Sequence, residues 1–326
     1  MAIDYKLALS VAKDNWNNQD WWRDEAVPFA KRTALSGTLK PYYSAFGPNG
    51  TDYMSEDWDN LLILDACRFD MFNEYNWIDG DLKKMISVGS STPEFLQRTF
   101  KGKQYHDTVY VTSNPQVTLR LDSDVFYETV NVWESEWDDD LGTVRPEPVT
   151  QAAIDAQKQY PNKRLIVHYM QPHYPFIGDI GQNELEGHAG FELSKRLANN
   201  ETADRDHKTI WDMVQSGEVP KSIVWDAYVE NLEIVLDAIQ PGLETLQGKT
   251  VITSDHGNLI GETATPFNLE MYGHPTGIHA KELVTVPWLS IDCSSRKKIT
   301  HDDPESQIDS VNEEEIHDRL ADLGYK

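Results

Sequence analysis

The sequence predicts an α/β fold: a mostly parallel central sheet with helices on both faces, preceded by an N-terminal helical extension. Three observations lead there. Short, fully apolar runs recur along the chain, at 61–64, 109–112, 165–169, 250–253 and 286–290. Runs this short and this apolar suit strands covered on both faces, as in a parallel sheet. Helical patterns separate them, the clearest being 223–239 (IVWDAYVENLEIVLDAI), with apolar residues three and four apart. Alternation of strand and helix is the pattern of a doubly covered sheet. Acidic and imidazole side chains then follow several of the runs, and ligands of such sheets bind at the carboxyl ends of the strands.

Residues 1–57 are polar and rich in aromatics, with Gly and Pro gathered at 47–50, and read as a helical extension packed on the domain. The sheet domain spans 58–292. After it, residues 293–326 comprise a solvated linker to about 312 and a short amphipathic helix, NEEEIHDRLADLGYK, with a Gly stop.

A chain of 326 residues buries a core large enough to fold without staples. Two cysteines, Cys67 and Cys293, cannot make a disulfide framework or a paired-cysteine metal site. The formal charge of −25 opposes binding to nucleic-acid polymers or anionic membranes. The acid excess is dispersed and coexists with 39% hydrophobic residues, which excludes disorder as its explanation. It resembles the surfaces of proteins from salt-loving microbes, where salt screens self-repulsion. The N-terminus shows no secretory signal, and no apolar run approaches a membrane span, so the expected compartment is the cytoplasm.

The residues after the strands carry the chemistry. Run 61–64 leads into Asp65, then Cys67, Arg68 and Asp70. Run 250–253 leads into Asp255 and His256; run 165–169 contains His168 and is followed by His173 between aromatics and prolines. His274 and His279 lie just before the fifth run. Individually each has an ordinary explanation: Asp65 as a helix cap, Asp255 and His256 as a turn, His173 as a structural histidine, Arg68 as a partner of Asp70. Together they form a mixed carboxylate and imidazole set. Such a set suits a divalent metal, Zn or Mn better than the oxygen-rich cages of Ca or Mg. Three hydroxyls, Ser90, Ser91 and Thr92, stand between Gly89 and Pro93 at the start of a helix. A helix N-terminus stabilises an oxyanion, which suits a nucleophile; SSTPE equally reads as a capping box.

The segments LLILDACRFD, VGSSTPEF, LIVHYMQPHYPF, TVITSDHGNLIGE and GHPTGIHAKELVTVPWL resemble, in order and spacing, the alkaline phosphatase superfamily, most nearly its sulfatase-like branch. The closing RLADLGY resembles the ends of sulfatase-like proteins from halophilic archaea. The resemblance implies a metal-dependent hydrolase of phosphate or sulfate esters. It makes Asp65, Asp255 and His256 ligands of one metal, and assigns Ser91 as nucleophile with Thr92 in reserve. His274, with His279 near it, falls where two-metal members hold a second ion. Those members carry Asp and then His where this chain has His173 and Ile177, so a second metal is doubtful. His173 then resembles the substrate-contacting histidine of sulfatases, with His168 and Arg68 as further catalytic candidates. The formylglycine cysteine of sulfatases corresponds to Ser91 and its arginine to Phe95. A serine sulfate lacks the geminal hydroxyl that expels sulfate, so phosphate esters, small or on glycan or lipid headgroups, are the expected substrates. Sulfatase, headgroup transferase and non-catalytic relative are the alternatives.

Overall fold

The computed structural model describes residues 13, 17, 27–185, 209–304 and 313–324. It divides into two compact units, Met1–Gly47 and Pro48–Lys326. The first contains one described helix, Val27–Phe46, with Pro41 inside it. The second begins ten residues before the expected domain start, and Tyr53 and Met54 already belong to its core.

Eleven strands are described: β1 (Asn60–Leu64), β2 (Asp81–Ile86), β3 (Tyr105–Thr112), β4 (Phe126–Asn131), β5 (Trp137–Asp138), β6 (Thr143–Val144), β7 (Arg164–Tyr169), β8 (Thr250–Thr253), β9 (Leu259–Ala264), β10 (Leu269–Gly273) and β11 (Thr285–Ile291). Seven form the central sheet in the order β2-β11-β8-β1-β7-β3-β4. Within this sheet every described pairing is parallel except those of β11 with β8 and β2. β9 and β10 make a hairpin, and β5 pairs with β6.

Side chains of a strand alternate between faces, and here each set has its own core. Leu62, Leu64, Val109, Val111, Leu165, Val167 and Ile252 face one cluster. That cluster is completed by the helices Pro146–Gln159 and Lys221–Ala238. Leu61, Ile63, Tyr110, Ile166 and Val251 face the other, packed against Phe95, Leu96 and Phe100 of the helix Thr92–Phe100. Helices therefore cover both faces, as the apolar runs predict.

Reversal of β11 explains one feature of the sequence. An antiparallel strand begins at the edge where its parallel neighbours end. Residues 274–279, which precede β11, thus reach the same edge as Asp65 and Asp255.

The first part of the segment after residue 292 is tethered to the domain by side chains and backbone. Arg296 Nη1 bonds Asp57 at 2.7 Å, and Lys297 Nζ bonds Asn60 Oδ1 at 2.6 Å. Thr300 N donates to Asn162 O at 2.9 Å, and Lys163 Nζ reaches Asp302 at 2.7 Å. This segment straps the amino ends of the central strands, opposite the candidate site. The closing helix, Glu313–Asp322, places Ile316, Leu320 and Leu323 in the first core cluster. Among the described residues no helix is long and apolar enough to cross a membrane.

Candidate metal and nucleophile site

Asp65 follows the last residue of β1, and its N–H extends the ladder to Tyr169 O at 3.1 Å. The chain then turns sharply through Ala66, at φ 61°. That conformation costs a non-glycine residue about 1–2 kcal/mol. It is held by Ala66 N donating to Asp255 Oδ1 at 3.1 Å, Cys67 N to Ser254 Oγ at 2.8 Å, and the Tyr228 hydroxyl donating to Ala66 O. The turn from β1 and the turn from β8 are thereby stitched together, which brings Asp65 beside Asp255. Gly257 is required by close approach: a Cβ there would stand 2.1 Å from Glu282 O.

Asp65, His168, Asp255 and His256 are all fully buried. One potential ligand atom each from Asp65, His168 and Asp255 lies within 4.8 Å of the others. His168 Nε2 stands 3.7 Å from Asp65 Oδ2 and 3.9 Å from Asp255 Oδ2. His256 Nε2 stands 3.5 Å from Asp65 Oδ1 and 3.5 Å from Asp255 Oδ2. Asp65 Oδ1, Asp255 Oδ2 and His168 Nε2 have no hydrogen-bond partner. Orphaned buried polar atoms are costly and rare, and three converging on one point fit a cation.

The outer contacts orient these lone pairs. His256 Nδ1 donates to Gly257 O at 2.8 Å, which leaves Nε2 as an acceptor facing inward. His168 Nδ1 meets the Tyr110 hydroxyl at 2.9 Å. Asn114 Nδ2 donates to Asp65 Oδ2 at 2.8 Å. Histidine ligands of metals are fixed by such second contacts. Burial, then the adjacent Asp255 carboxylate, holds the Asp65 pKa well above its ordinary value. Asp255 is lowered: burial opposes its charge, but the His256 and His168 imidazoles and the Ala66 N–H outweigh it. Burial also brings His168 down to about 4, so it is neutral near pH 7. Two carboxylates and two imidazoles suit a divalent ion.

The two candidate nucleophiles part company here. Ser91 Oγ is turned to Thr276 Oγ1, at 2.8 Å. Thr92 Oγ1 lies 3.2 Å from Asp65 Oδ2 and 3.2 Å from His256 Nε2, against the carboxylate and imidazole cluster. Ser91, first choice from the family pattern, is thus the N-cap residue of the helix, and Thr92 opens its first turn. Gly89 lets this turn sit tightly, since a Cβ would fall 2.4 Å from Phe95 N.

The remaining expected residues divide likewise. His168, expected as a proton donor, joins the carboxylate cluster. His274 Nε2 contacts His173 Nε2 at 2.9 Å, and its ring centroid is 4.7 Å from that of His256. His173 Nδ1 bonds the Tyr174 carbonyl, so Nε2 of the neutral ring accepts from His274. His279, expected as a metal ligand, is engaged elsewhere: its Nε2 bonds Glu94 Oε1 at 3.0 Å. Arg68, expected to stabilise developing charge, pairs with Asp70 at 2.6 Å and with Glu262, and stacks over Trp225 at 5.1 Å. Ile177 is buried, its N–H bound to Asn231 Oδ1 at 2.8 Å. Trp133, Trp137, Tyr127 and Trp211 pack in or against the first core cluster.

Three further residues position the site. Asn114 holds Asp65. Asn231, fully buried, donates to His173 O at 3.1 Å and Pro175 O at 3.0 Å, fixing the loop that carries His173. Glu94 accepts from Ser90 N at 3.0 Å, Ser90 Oγ at 2.8 Å, Gly277 N at 3.1 Å and His279, fastening the nucleophile turn to the loop of His274. Burial raises the Glu94 pKa, but these bonds overcome it and bring the group to about 2. Replacing Glu94 by Ala orphans several buried donors, and each costs about 1–3 kcal/mol. Thermal unfolding of Glu94→Ala is expected well below wild type, with turnover reduced as the two loops separate.

Burial, more than any neighbour, lowers His173 to about 4. Between that value and the unfolded pKa of 6.5 the unfolded chain binds the extra proton, so stability rises with pH across the window. Acidification of the metal-free protein from pH 7 to 4 is therefore expected to remove up to about 3 kcal/mol more from wild type than from His173→Gln. Denaturant titrations at the two pH values read this difference; a pH-independent gap contradicts it.

No family model matches the chain, and no curated protein matches it. Solved structures do. The integral membrane lipooligosaccharide phosphoethanolamine transferase A of Neisseria meningitidis matches with a TM-score of 0.44 at 12% identity, over 87% of this chain and 60% of that one. The chain thus spans three fifths of that protein's length. A protein solved with its substrate D-glucosamine-2-N,6-O-disulfate matches at 0.44 and 13% identity, over 82% and 76%. A protein of the alkaline phosphatase superfamily from Vibrio parahaemolyticus matches at 0.38 and 13%, over 76% and 63%. These neighbours include alkaline phosphatase superfamily members, and likeness at this level assigns no activity, substrate or compartment to the chain.

Proposed function

We propose that the chain is a metal-dependent hydrolase of phosphate esters that acts through Thr92. The observation that carries this reading is the Thr92 hydroxyl at 3.2 Å from both Asp65 and His256, beside three orphaned buried ligand atoms. Asp65, His168, Asp255 and His256 would hold one divalent cation. A cation there lowers the pKa of an adjacent hydroxyl and neutralises charge on ester oxygens.

The chain's own residues supply the rest. Thr92 Oγ1 gives its proton toward Asp65 Oδ2 and attacks phosphorus in line. The Oγ1–P bond forms, the ester P–O bond breaks, and its electron pair leaves on the alcohol oxygen. The N–H groups of the first turn of Thr92–Phe100 face the extra negative charge. The proton that Thr92 gives up passes on through solvent to the departing alkoxide, beside the His274–His173 pair. Water then attacks the phosphothreonine and returns Thr92. A threonine sulfate has no geminal hydroxyl to expel sulfate, which favours phosphate over sulfate esters.

The test is a panel of aryl phosphate monoesters, diesters and sulfate esters on metal-loaded protein, with and without an added alcohol acceptor. Phosphate-ester cleavage that leaves free phosphate is the expected result. Faster sulfate release, or transfer to the alcohol in place of water, overturns the hydrolase assignment.

A further inference from the structure

The Thr92 hydroxyl and the four candidate ligands are buried, so a substrate must reach them from the nearest opening. A cleft of about 660 Å³ borders the site, its walls including Ser91, beside Thr92, and His274 and Thr276. Beyond them the cleft is lined by Gln97 and Arg98 of the nucleophile helix and by Gln116 and Arg120 of the helix Gln116–Arg120. Two arginines converge on one cleft in a chain whose acidic residues outnumber basic ones 54 to 29.

Both guanidiniums are oriented from within the chain. Arg98 Nη2 pairs with Glu94 Oε1 at 2.8 Å. Arg120 Nε donates to Oε1 of the buried Gln116 at 3.0 Å. Each of these bonds uses one donor of the five that a guanidinium carries, leaving others for an anion. Both side chains are exposed at the cleft, so binding an anion requires little desolvation of the arginines themselves. Arginine forks match phosphate and carboxylate oxygens bidentately. Glu94, which accepts from Arg98, also fastens the nucleophile turn, so recognition and reaction share one rigid support.

We infer that this cleft is a second anion subsite, and that the substrates are phosphate esters whose alcohol part bears a further anionic group, phosphate or carboxylate. The inference rests on the phosphoryl reading of the Thr92 site. Arg98 lies six residues along the helix from Thr92, roughly 9 Å at the α-helical rise per residue. The two side chains leave the helix that far apart along its axis, a scale that suits a second anionic group on the alcohol part better than a diphosphate.

The test uses α,ω-alkane bisphosphonates of increasing length beside ethylphosphonate, titrated calorimetrically into Zn-loaded protein. The expected result is at least tenfold tighter binding of a bisphosphonate near that span than of ethylphosphonate. The advantage is expected to vanish in Arg98→Gln/Arg120→Gln, while ethylphosphonate affinity stays within about threefold of wild type. If ethylphosphonate binds but no bisphosphonate gains, or if the double variant keeps the gain, the subsite is overturned and the phosphoryl reading stands. If neither probe binds, both fail together. Phosphonocarboxylates of the same lengths, with a carboxylate in place of the second phosphonate, distinguish the two anions.

Discussion

Replacing Thr92 by Ala is expected to lower kcat by at least about a thousandfold, because the group that forms the covalent bond is removed. Metal binding should survive, since the four candidate ligands are untouched. Thr92→Ser keeps the hydroxyl and should retain a substantial part of the rate. Ser91→Ala makes the contrast. Its hydroxyl bonds Thr276, so its loss removes one neutral hydrogen bond, about 1 kcal/mol, and should slow turnover less than about tenfold. Steady-state kinetics of the three variants with an aryl phosphate, together with metal content, read the result. A dead Ser91→Ala enzyme beside an active Thr92→Ala enzyme would reverse the assignment.

The second large effect belongs to Asp65. In the metal-free protein, burial and the nearby Asp255 carboxylate disfavour its charge, as its raised pKa records. Asn at this position keeps a carbonyl oxygen to accept from Asn114 and Thr92 while removing the charge. Metal-free Asp65→Asn is therefore expected to be more stable than metal-free wild type at pH 7, by about 1–3 kcal/mol. Sign and window follow from the raised pKa: the cost is full above the folded pKa, shrinks as pH falls below it, and is gone only below the unfolded value of 3.8. With metal the order inverts. A cation at a thousandfold excess over its Kd stabilises wild type by about 4 kcal/mol, and the variant should gain little. Thermal unfolding with chelator and with Zn measures both halves. A variant less stable without metal, or equally stabilised by it, contradicts a cation held by this cluster.

The chain wrote some of this plainly and some not at all. The five central strands were legible because each is an apolar run buried on both faces. β2 was not: its DLKKMI exposes Asp81, Lys83 and Lys84 at the sheet edge, where charge carries no strand signal. The reversal of β11 was also hidden, since an apolar run has no direction. Asp65, Asp255 and His256 stood out because acid and imidazole after apolar strands need a reason. His168 was visible but its role was not, because that depends on lying between two carboxylates on neighbouring strands. Ser91 and Thr92 are one bond rotation and one residue apart. Only the helix start, with Ser91 as cap facing Thr276, decides which hydroxyl meets the cluster. Asn231 looked like an ordinary polar helix position and Glu94 like a capping residue; their weight comes from the groups distant in sequence, 172–177 and 277–279, that they hold.

The central claim is that Thr92 becomes covalently phosphorylated beside a metal held by Asp65, His168, Asp255 and His256. Its most direct test is acid quenching of metal-loaded enzyme during turnover of an aryl phosphate, followed by peptide mass spectrometry. The account predicts a phosphate on Thr92 that builds up in the first turnover and is absent when metal is chelated. Phosphate on Ser91, or turnover with no phosphopeptide trapped at any quench time, would contradict it.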